Sequence, residues 1–420
     1  MYKSKKIFKD LLHFPLWGLG SLFFFLPLWW TGGSVSAQTL EDYLQIAAEN
    51  NAGLKASYAE FEAALQEVPQ VSSLPDPTLS MSAFGPMAKA NFSLMQMFPW
   101  FGTLEAKADV AALMAEAKFQ AYLNNRSDLF YRVSEKYFEL YEVEESIQFQ
   151  QDNFNILENY KELALAKVRA GSGALADVLQ TELILNETQT ALEILEMQRK
   201  PLAVQFNALL NRPKDADIEI PEELELEIYE LTLGQDINFE DHPRLVAMEK
   251  MLAAARAQET VAKKEGLPTF GIGVGYAVVE KDPGMDMPGN GQDMVMPMLS
   301  ISLPIFRKKY KAARKEAEFM QESYSQRKIE LENTLSSEFA SAVFTLEKSM
   351  AMLDLYEKQV ESTRQVLNLL LSSYQSAAAD FEEVLRVRQE LLKYQLAVAG
   401  AEANYFSALA RINYLTGKAF

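Results

Sequence analysis

The stretch FRKKYKAARKEAEFMQESYSQRKIELENTLSSEFASAVFTLEKSMAMLDLYEKQVESTRQVLNLLLSSY, residues 306–374, contains neither proline nor glycine. Apolar or aromatic side chains recur every seventh position: Phe339, Leu346, Leu353, Val360, Leu367 and Tyr374. A strict seven-residue repeat held this long signals a helix wound against its neighbours in a left-handed sense. At 1.5 Å per residue such a helix is roughly 100 Å long. No globular domain needs that length, so the function must account for it.

Composition narrows the function. The chain has 420 residues, 49% of them apolar and 23% charged, and a formal net charge of -18. Such acidity repels phosphates and argues against nucleic acid as a partner. With no cysteine there is no disulfide framework, thiol chemistry or cysteine-based zinc site. The only histidines are His13 and His242, too few for a histidine-rich metal site or a Ser-His-Asp triad. Neither an enzyme nor a cofactor is expected. Gly271, Gly273 and Gly275 superficially suggest phosphate binding, but their alternation with Phe270, Ile272, Val274 and Tyr276 marks a strand with one narrow face.

The first 37 residues read as a secretory signal. Lys3, Lys5, Lys6 and Lys9 precede an apolar run from Leu11 to Trp30, and Val35-Ser36-Ala37 fits a cleavage site before Gln38. A membrane-anchoring helix is the alternative for a run of this length. No cysteine follows it to carry a lipid. No other stretch is apolar enough for a membrane helix, so any membrane crossing by the exported chain must use something other than helices.

The remainder is a tandem duplication. Leu40 to Gln70 is helical and ends at Leu74-Pro75-Asp76-Pro77. Strands follow at Thr78–Phe84 and Asn91–Met97, closed by Phe98-Pro99-Trp100-Phe101-Gly102. A long helix, Thr103–Val168, then breaks at Ala170-Gly171-Ser172-Gly173, and a second runs from Leu175 to Leu210. After an acidic linker the plan restarts: helix Pro243–Glu265, strands Phe270–Tyr276 and Met298–Leu303, the long helix, and a last helix from Asp380 to Leu415. The halves align residue by residue. Leu74-Pro75 matches Leu267-Pro268, and the heptad residues Phe339, Leu346, Leu353 and Val360 match Val133, Leu140, Ile147 and Phe154. The predicted boundaries are residues 1–37 for the signal, 38–213 for the first repeat with hairpin 78–97, 214–240 for the linker, and 241–420 for the second repeat with hairpin 269–303.

Each hairpin has strands near the length of a tilted transmembrane β-strand. Four strands cannot close, and an open edge in lipid leaves backbone groups unsatisfied. Closure must therefore come from other copies: two would give eight strands and three would give 12. Three is favoured because the long helices must also ring a lumen. Leu299, Ile301 and Leu303 are expected to face lipid, and Ser300 and Ser302 the lumen. Gln96 is a misfit, since the alignment with Ile301 turns it towards lipid. The shorter helices, Leu40–Gln70 with Leu175–Leu210, together match the length of one long helix and are expected to stack end to end beside it.

The signal peptide, the Leu-Pro before each hairpin, Pro99-Trp100-Phe101 and Pro304-Ile305-Phe306 at the strand ends, and the closing Leu415-Thr416-Gly417 resemble the outer-membrane efflux protein (TolC-like) family. The run from Phe98 to Gly102 is similar to its heavy-metal-efflux branch. The resemblance implies a mainly α fold. In it, tandem long helical hairpins form a trimeric α-barrel, continuous with a 12-stranded outer-membrane β-barrel in a Gram-negative bacterium. It also implies a periplasmic adaptor and an inner-membrane pump as partners. The family's Tyr-x-x-Gly, acidic, Val-Leu tip pattern falls on Gly171, Gly173 and Asp177-Val178-Leu179 in the first half. In the second it falls on Tyr374, Asp380 and Val384-Leu385, with alanine in place of glycine. Gly171, Gly173, Tyr374 and Val384 are thus the expected adaptor-docking tips.

A conduit selects by rings of like side chains. In a trimer Asp177, Asp380, Glu382 and Glu383 would each occur three times near the tip, where an acidic constriction is expected to favour cations. Helix capping is the competing role, above all for Asp177 and Asp380. Methionines cluster in the strand regions, and Met285, Met287, Met294 and Met296 in the second loop suggest contact with a soft metal cation; filling irregular apolar space is the alternative. Arg307, Lys308, Lys309 and Lys311 are placed to meet lipid phosphates. The leading reading is a passive outer-membrane exit duct of a tripartite efflux system. A duct for polypeptide secretion and a periplasmic coiled-coil scaffold are the alternatives.

Overall fold

The computed structural model describes residues 39–82, 88–221, 224, 239–281, 284, 288, 291–376 and 380–417. Helices α1 (Leu40–Asn50) and α2 (Ala52–Ser72) precede strands β1 (Thr78–Ser82) and β2 (Ala88–Phe98), then helices α3 (Thr103–Arg169) and α4 (Leu175–Leu209). The second half repeats the order with α5 (Pro243–Glu265), β3 (Thr269–Val279), β4 (Met294–Ser302), α6 (Arg307–Gln375) and α7 (Phe381–Thr416). The long helices have 67 and 69 residues, and their partners α4 and α7 have 35 and 36.

The first helical segment is divided, where a single helix over Leu40–Gln70 was expected. Asn51 is the reason. Its backbone leaves the helical region, its side-chain oxygen accepts from the Leu54 N–H at 2.9 Å, and a new helix starts there. Its Nδ2 also donates to the Leu209 carbonyl at 2.8 Å, while Asn211 Nδ2 donates to the Asn50 carbonyl at 3.2 Å. These bonds join the end of α4 to the start of α2. The short helices thus abut beside α3, as the matched lengths required. In the second half His242 takes the equivalent place: it starts α5 by accepting from Arg244 N–H and stacks edge-on against Tyr414, near the end of α7.

The seven-residue stripe is the seam. Leu346, Leu353, Leu367 and Tyr374 are buried, as are Val133 and Leu140 in the first copy. Helix α3 packs against α1, α2 and α4 of its own half and against α5 and α7 of the other. Helix α6 packs chiefly against α5 and α7. A core of Tyr43, Tyr137, Phe138, Phe206 and Leu210 marks the mid-height, with Tyr43 edge-on to Phe206 at 5.0 Å.

The four strands form one antiparallel sheet in the order β1-β2-β3-β4. The two hairpins are joined through β2 and β3, paired from Phe98↔Phe270 to Ala88↔Val279. Strand β4 begins at Met294, four residues before the expected start at Met298. Pro297 obscured it: proline interrupts a strand signal, yet within the chain β4 is an edge strand, where proline is tolerated, and Pro297 pairs with Val274. The turn into α3 is pinned by Lys264, whose ammonium donates to the Phe101 carbonyl at 3.1 Å.

Candidate functional site: a two-faced wall and a helical tip

Register sorts the strand side chains, because directly paired residues share a face. One face carries Leu79, Met81, Phe92, Leu94, Ile272, Val274, Leu299 and Ile301, all exposed. The opposite face carries serine, glycine and methionine. Ser80 pairs with Ser93, Met95 with Gly273, Met97 with Gly271, Gly271 with Ser300 and Gly275 with Met296. An exposed apolar face backed by a small and polar one is the pattern of a barrel wall between lipid and lumen. Gln96 does fall on the apolar face. Its amide donates to the carbonyls of Pro75 at 2.7 Å and Met97 at 3.0 Å, so the polar group is satisfied at the strand's helical end. Met294 and Met296 lie in β4 on the serine face, not in the loop; Met285 and Met287 lie outside the described residues.

At the far end of the helices the two hairpin tips pack on each other. Leu157, Ala164, Val178, Leu367, Tyr374, Phe381, Val384 and Leu385 form one buried cluster. Tyr374 and Val384 are therefore interior to the protomer, and neither presents a surface to a partner. The Lys167 ammonium lies 3.5 Å from the Tyr374 ring centre and donates to the Tyr374 carbonyl at 2.6 Å. Gly171 takes a left-handed conformation at φ 73° and has open space around its Cα. Gly173 is closely packed, since a Cβ there would sit 2.8 Å from the Lys167 Cβ.

The predicted carboxylates occupy the first turns of α4 and α7. Asp177 is half-buried. With burial as the larger cause, its charge helps to push the Tyr374 phenol above its ordinary pKa. Asp380 stands at the start of α7 without a side-chain cap bond, and Glu382 and Glu383 are exposed in the first turn that follows it, Glu383 lying 3.7 Å from Arg386. Among the described residues no cluster of three His, Asp or Glu is arranged to hold a metal.

One residue at the tip escaped the sequence reading. Arg388 is 7% exposed, between α7 and α3, and its Nε donates to Asn153 Oδ1 at 2.8 Å. Burial pushes its pKa down, while Tyr160 and Asp152 partly oppose this. Gln150 Oε1, Asn153 Nδ2 and Gln389 Nε2 are buried beside it with no hydrogen-bond partner. The signal was present. Phe381, Val384, Leu385, Leu391 and Leu392 form an apolar stripe, and Arg388 falls on it where another apolar residue belongs.

A two-faced sheet set on helical staves of roughly 100 Å is the arrangement of a membrane channel subunit. The sequence model of the Outer membrane efflux protein family matches residues 43–212 and again residues 239–418, and the chain belongs to that family. It is an outer-membrane protein with a long periplasmic helical extension. Among solved structures, the outer-membrane channel OprN superposes with a TM-score of 0.75 at 19% identity, over 90% of each chain. CusC gives a TM-score of 0.76 at 16% identity, over 90% of this chain and 92% of its own. The open state of the Neisseria gonorrhoeae MtrE outer membrane channel gives 0.74 at 18% identity, over 90% and 88%. No curated protein sequence matches.

Proposed function

We propose that three copies of this chain form the passive exit duct of a tripartite efflux system, carrying small molecules or metal cations across the outer membrane. The observation that carries this reading is a mismatch between equivalent surfaces of the two repeats. Phe138 of α3 is 6% exposed and stacks on Phe406, whereas its equivalent Phe344 of α6 is 65% exposed. The same trend holds along the helix: Phe319, Ile329, Leu355, Val366 and Leu369 are exposed, and their α3 counterparts Leu113, Leu123, Phe149, Tyr160 and Leu163 are partly buried.

The complementary stripe lies on α4. Leu175, Leu179, Met197 and Val204 are exposed there, while their α7 counterparts Phe381, Leu385, Ala403 and Ala410 are buried, in a helix that packs against α3. The α3–α7 contact inside the chain is therefore the template for an α6–α4 contact between chains. Bare edges β1 and β4 repeat the logic in the sheet, and three sheets of four give the 12 strands of a closed barrel.

In this reading the far tip is the gate and the adaptor-contact end, with the pump beyond. Gly171 lies on its exposed turn, and Asp177, Asp380, Glu382 and Glu383 line the constriction. Tyr374 and Val384 shape the tip from within. Mass measurement of the purified chain in detergent, with single-channel recording in planar bilayers, tests the proposal. Trimers that conduct are expected; a conducting dimer or a non-conducting monomer would overturn it.

A further inference from the structure

On the lumen-side face of the sheet the thioethers are arranged in a ladder, and we infer that this ladder is a transient binding track for soft monovalent cations such as Cu(I) or Ag(I). The inference rests on the exit-duct reading above and names a cargo class for it. Met95 and Met97 of β2 pair with Gly273 and Gly271, and Met296 and Met298 of β4 pair with Gly275 and Gly273 from the other side. Met294 continues the row opposite Ala277. The glycine row of β3 is a trough into which these side chains lean. A Cβ on Gly271 would lie 2.6 Å from Met97 Sδ and 3.0 Å from Met95 Sδ, so two sulfurs converge on one glycine. A Cβ on Gly275 would lie 3.3 Å from Met298 Sδ.

Packing alone does not account for the arrangement. Methionine used as filler belongs where apolar surface is being covered, yet the lipid-side face is built from Leu, Ile, Val and Phe, with Met81 its one methionine among the described strand residues. The β4 methionines also keep much of their surface open, at 52%, 45% and 36% for Met294, Met296 and Met298. They stand among serines and glycines, facing the space through which cargo passes. Thioether sulfur is a soft, neutral donor that prefers Cu(I) to hard divalent ions. The described strand residues offer no carboxylate on this face to hold a hard cation. Alternate residues of a strand are roughly 7 Å apart, so the sulfurs form successive weak stations. Multiple sites that bind and release are what conduction requires.

The test uses the full-length trimer and Ag(I) as nitrate, because chloride precipitates silver. The chain has no cysteine, so any silver–sulfur shell seen by X-ray absorption must come from methionine. The variant carrying M95L, M97L, M294L, M296L and M298L keeps volume and removes sulfur. Even indirect partners of metal ligands are worth about tenfold in affinity, so loss of the ligands themselves should weaken Ag(I) binding at least about tenfold. It should also relieve Ag(I) block of single-channel current in potassium nitrate. An oxygen or nitrogen shell only, or equal affinity in wild type and variant, would overturn the ladder. If the fivefold variant does not assemble, M95L/M97L alone must lower the sulfur count of bound silver; an unchanged count has the same consequence. Absence of any wild-type current would instead remove the duct reading, and the absorption result would stand apart from it.

Discussion

Helices α3 and α6 are copies of one another, nearly equal in length and sharing a heptad register, yet they live in different surroundings. α3 has neighbours along both flanks, and residues such as Val133, Tyr137, Phe138 and Tyr141 bury several sides of it. α6 buries one seam, through Leu335, Leu346, Leu353, Leu367 and Tyr374, and leaves large apolar side chains bare on another side. A single chain thus contains a finished contact and an unfinished copy of it. Exposed apolar surface of that extent marks an interaction site, and the finished contact specifies what must fill it. On the reading proposed above, the oligomer is written into the difference between two repeats rather than into either one.

The comparison breaks most visibly if the bare stripe is charged. F344E with L369E should leave the protomer helical and reduce its mass in detergent from three chains to one, with loss of conductance. Trimers that survive both glutamates would mean that the stripe faces something else. At the equivalent buried position the effect belongs to the protomer. F138A should lower its unfolding free energy by about 3–5 kcal/mol, whereas F344A, which empties no core, should leave it nearly unchanged in urea titration.

Sequence periodicity made the staves, the hairpins and the duplication legible because each obeys a local rule of spacing. It also placed Ser300 and Leu299 on opposite faces. The start of β4 was hidden by Pro297, which interrupts a strand signal in sequence although the register with β3 runs through it. The break at Asn51 was hidden because asparagine inside a helical pattern is no strong stop until its amide finds the Leu209 carbonyl of another helix. Methionines 294 and 296 were legible as soft ligands but not as strand residues. Their setting against the glycine trough required the register. Arg388 was passed over because a lone cation in a charged helix is ordinary; only its neighbours on the buried stripe make it unusual.

The starts of the two repeats differ in a way that pH exposes. Thr39 opens the first half with a reciprocal capping box to Asp42. His242 opens the second half, and burial, helped by the nearby Arg244 charge, lowers its pKa to about 4 from 6.5. The folded state therefore keeps the imidazole neutral while the unfolded chain takes up a proton below pH 6.5. This contribution is complete above pH 6.5 and fades as pH falls towards 4, amounting to roughly 3 kcal/mol. H242N keeps a capping oxygen and should remove that slope from the stability profile. A slope that persists unchanged in H242N would mean that the imidazole is not its source.

Helices α4 and α7 differ at Arg388, whose counterpart in α4 is Glu182. Glu182 pairs with Lys161 at 3.0 Å on the surface, and the double truncation K161A/E182A should cost less than about 1 kcal/mol. R388M strands the buried Asn153 carbonyl oxygen and should cost about 1–3 kcal/mol. R388M/N153L, with both partners apolar, should recover most of that loss. If the double variant stays as unstable as R388M, the stabilising partner of the guanidinium is not Asn153.

The smallest effect tests how the two tips hold each other. Lys167 ends α3 with a contact that its α6 counterpart, Ser373, cannot make: an ammonium over the Tyr374 ring and bonded to the Tyr374 carbonyl. K167M keeps the aliphatic stem and should weaken the tip by about 1 kcal/mol, seen as faster amide exchange across residues 370–376 and more frequent channel opening. Y374F provides the control. The phenol oxygen is buried without a hydrogen-bond partner, so its removal should slow exchange or leave it unchanged. Ring and carbonyl both survive in Y374F, so the Lys167 contact predicts opposite behaviour for the two variants. Should Y374F loosen the tip as K167M does, the lock would run through the hydroxyl and the nearby Asp177 rather than through the Lys167 ammonium.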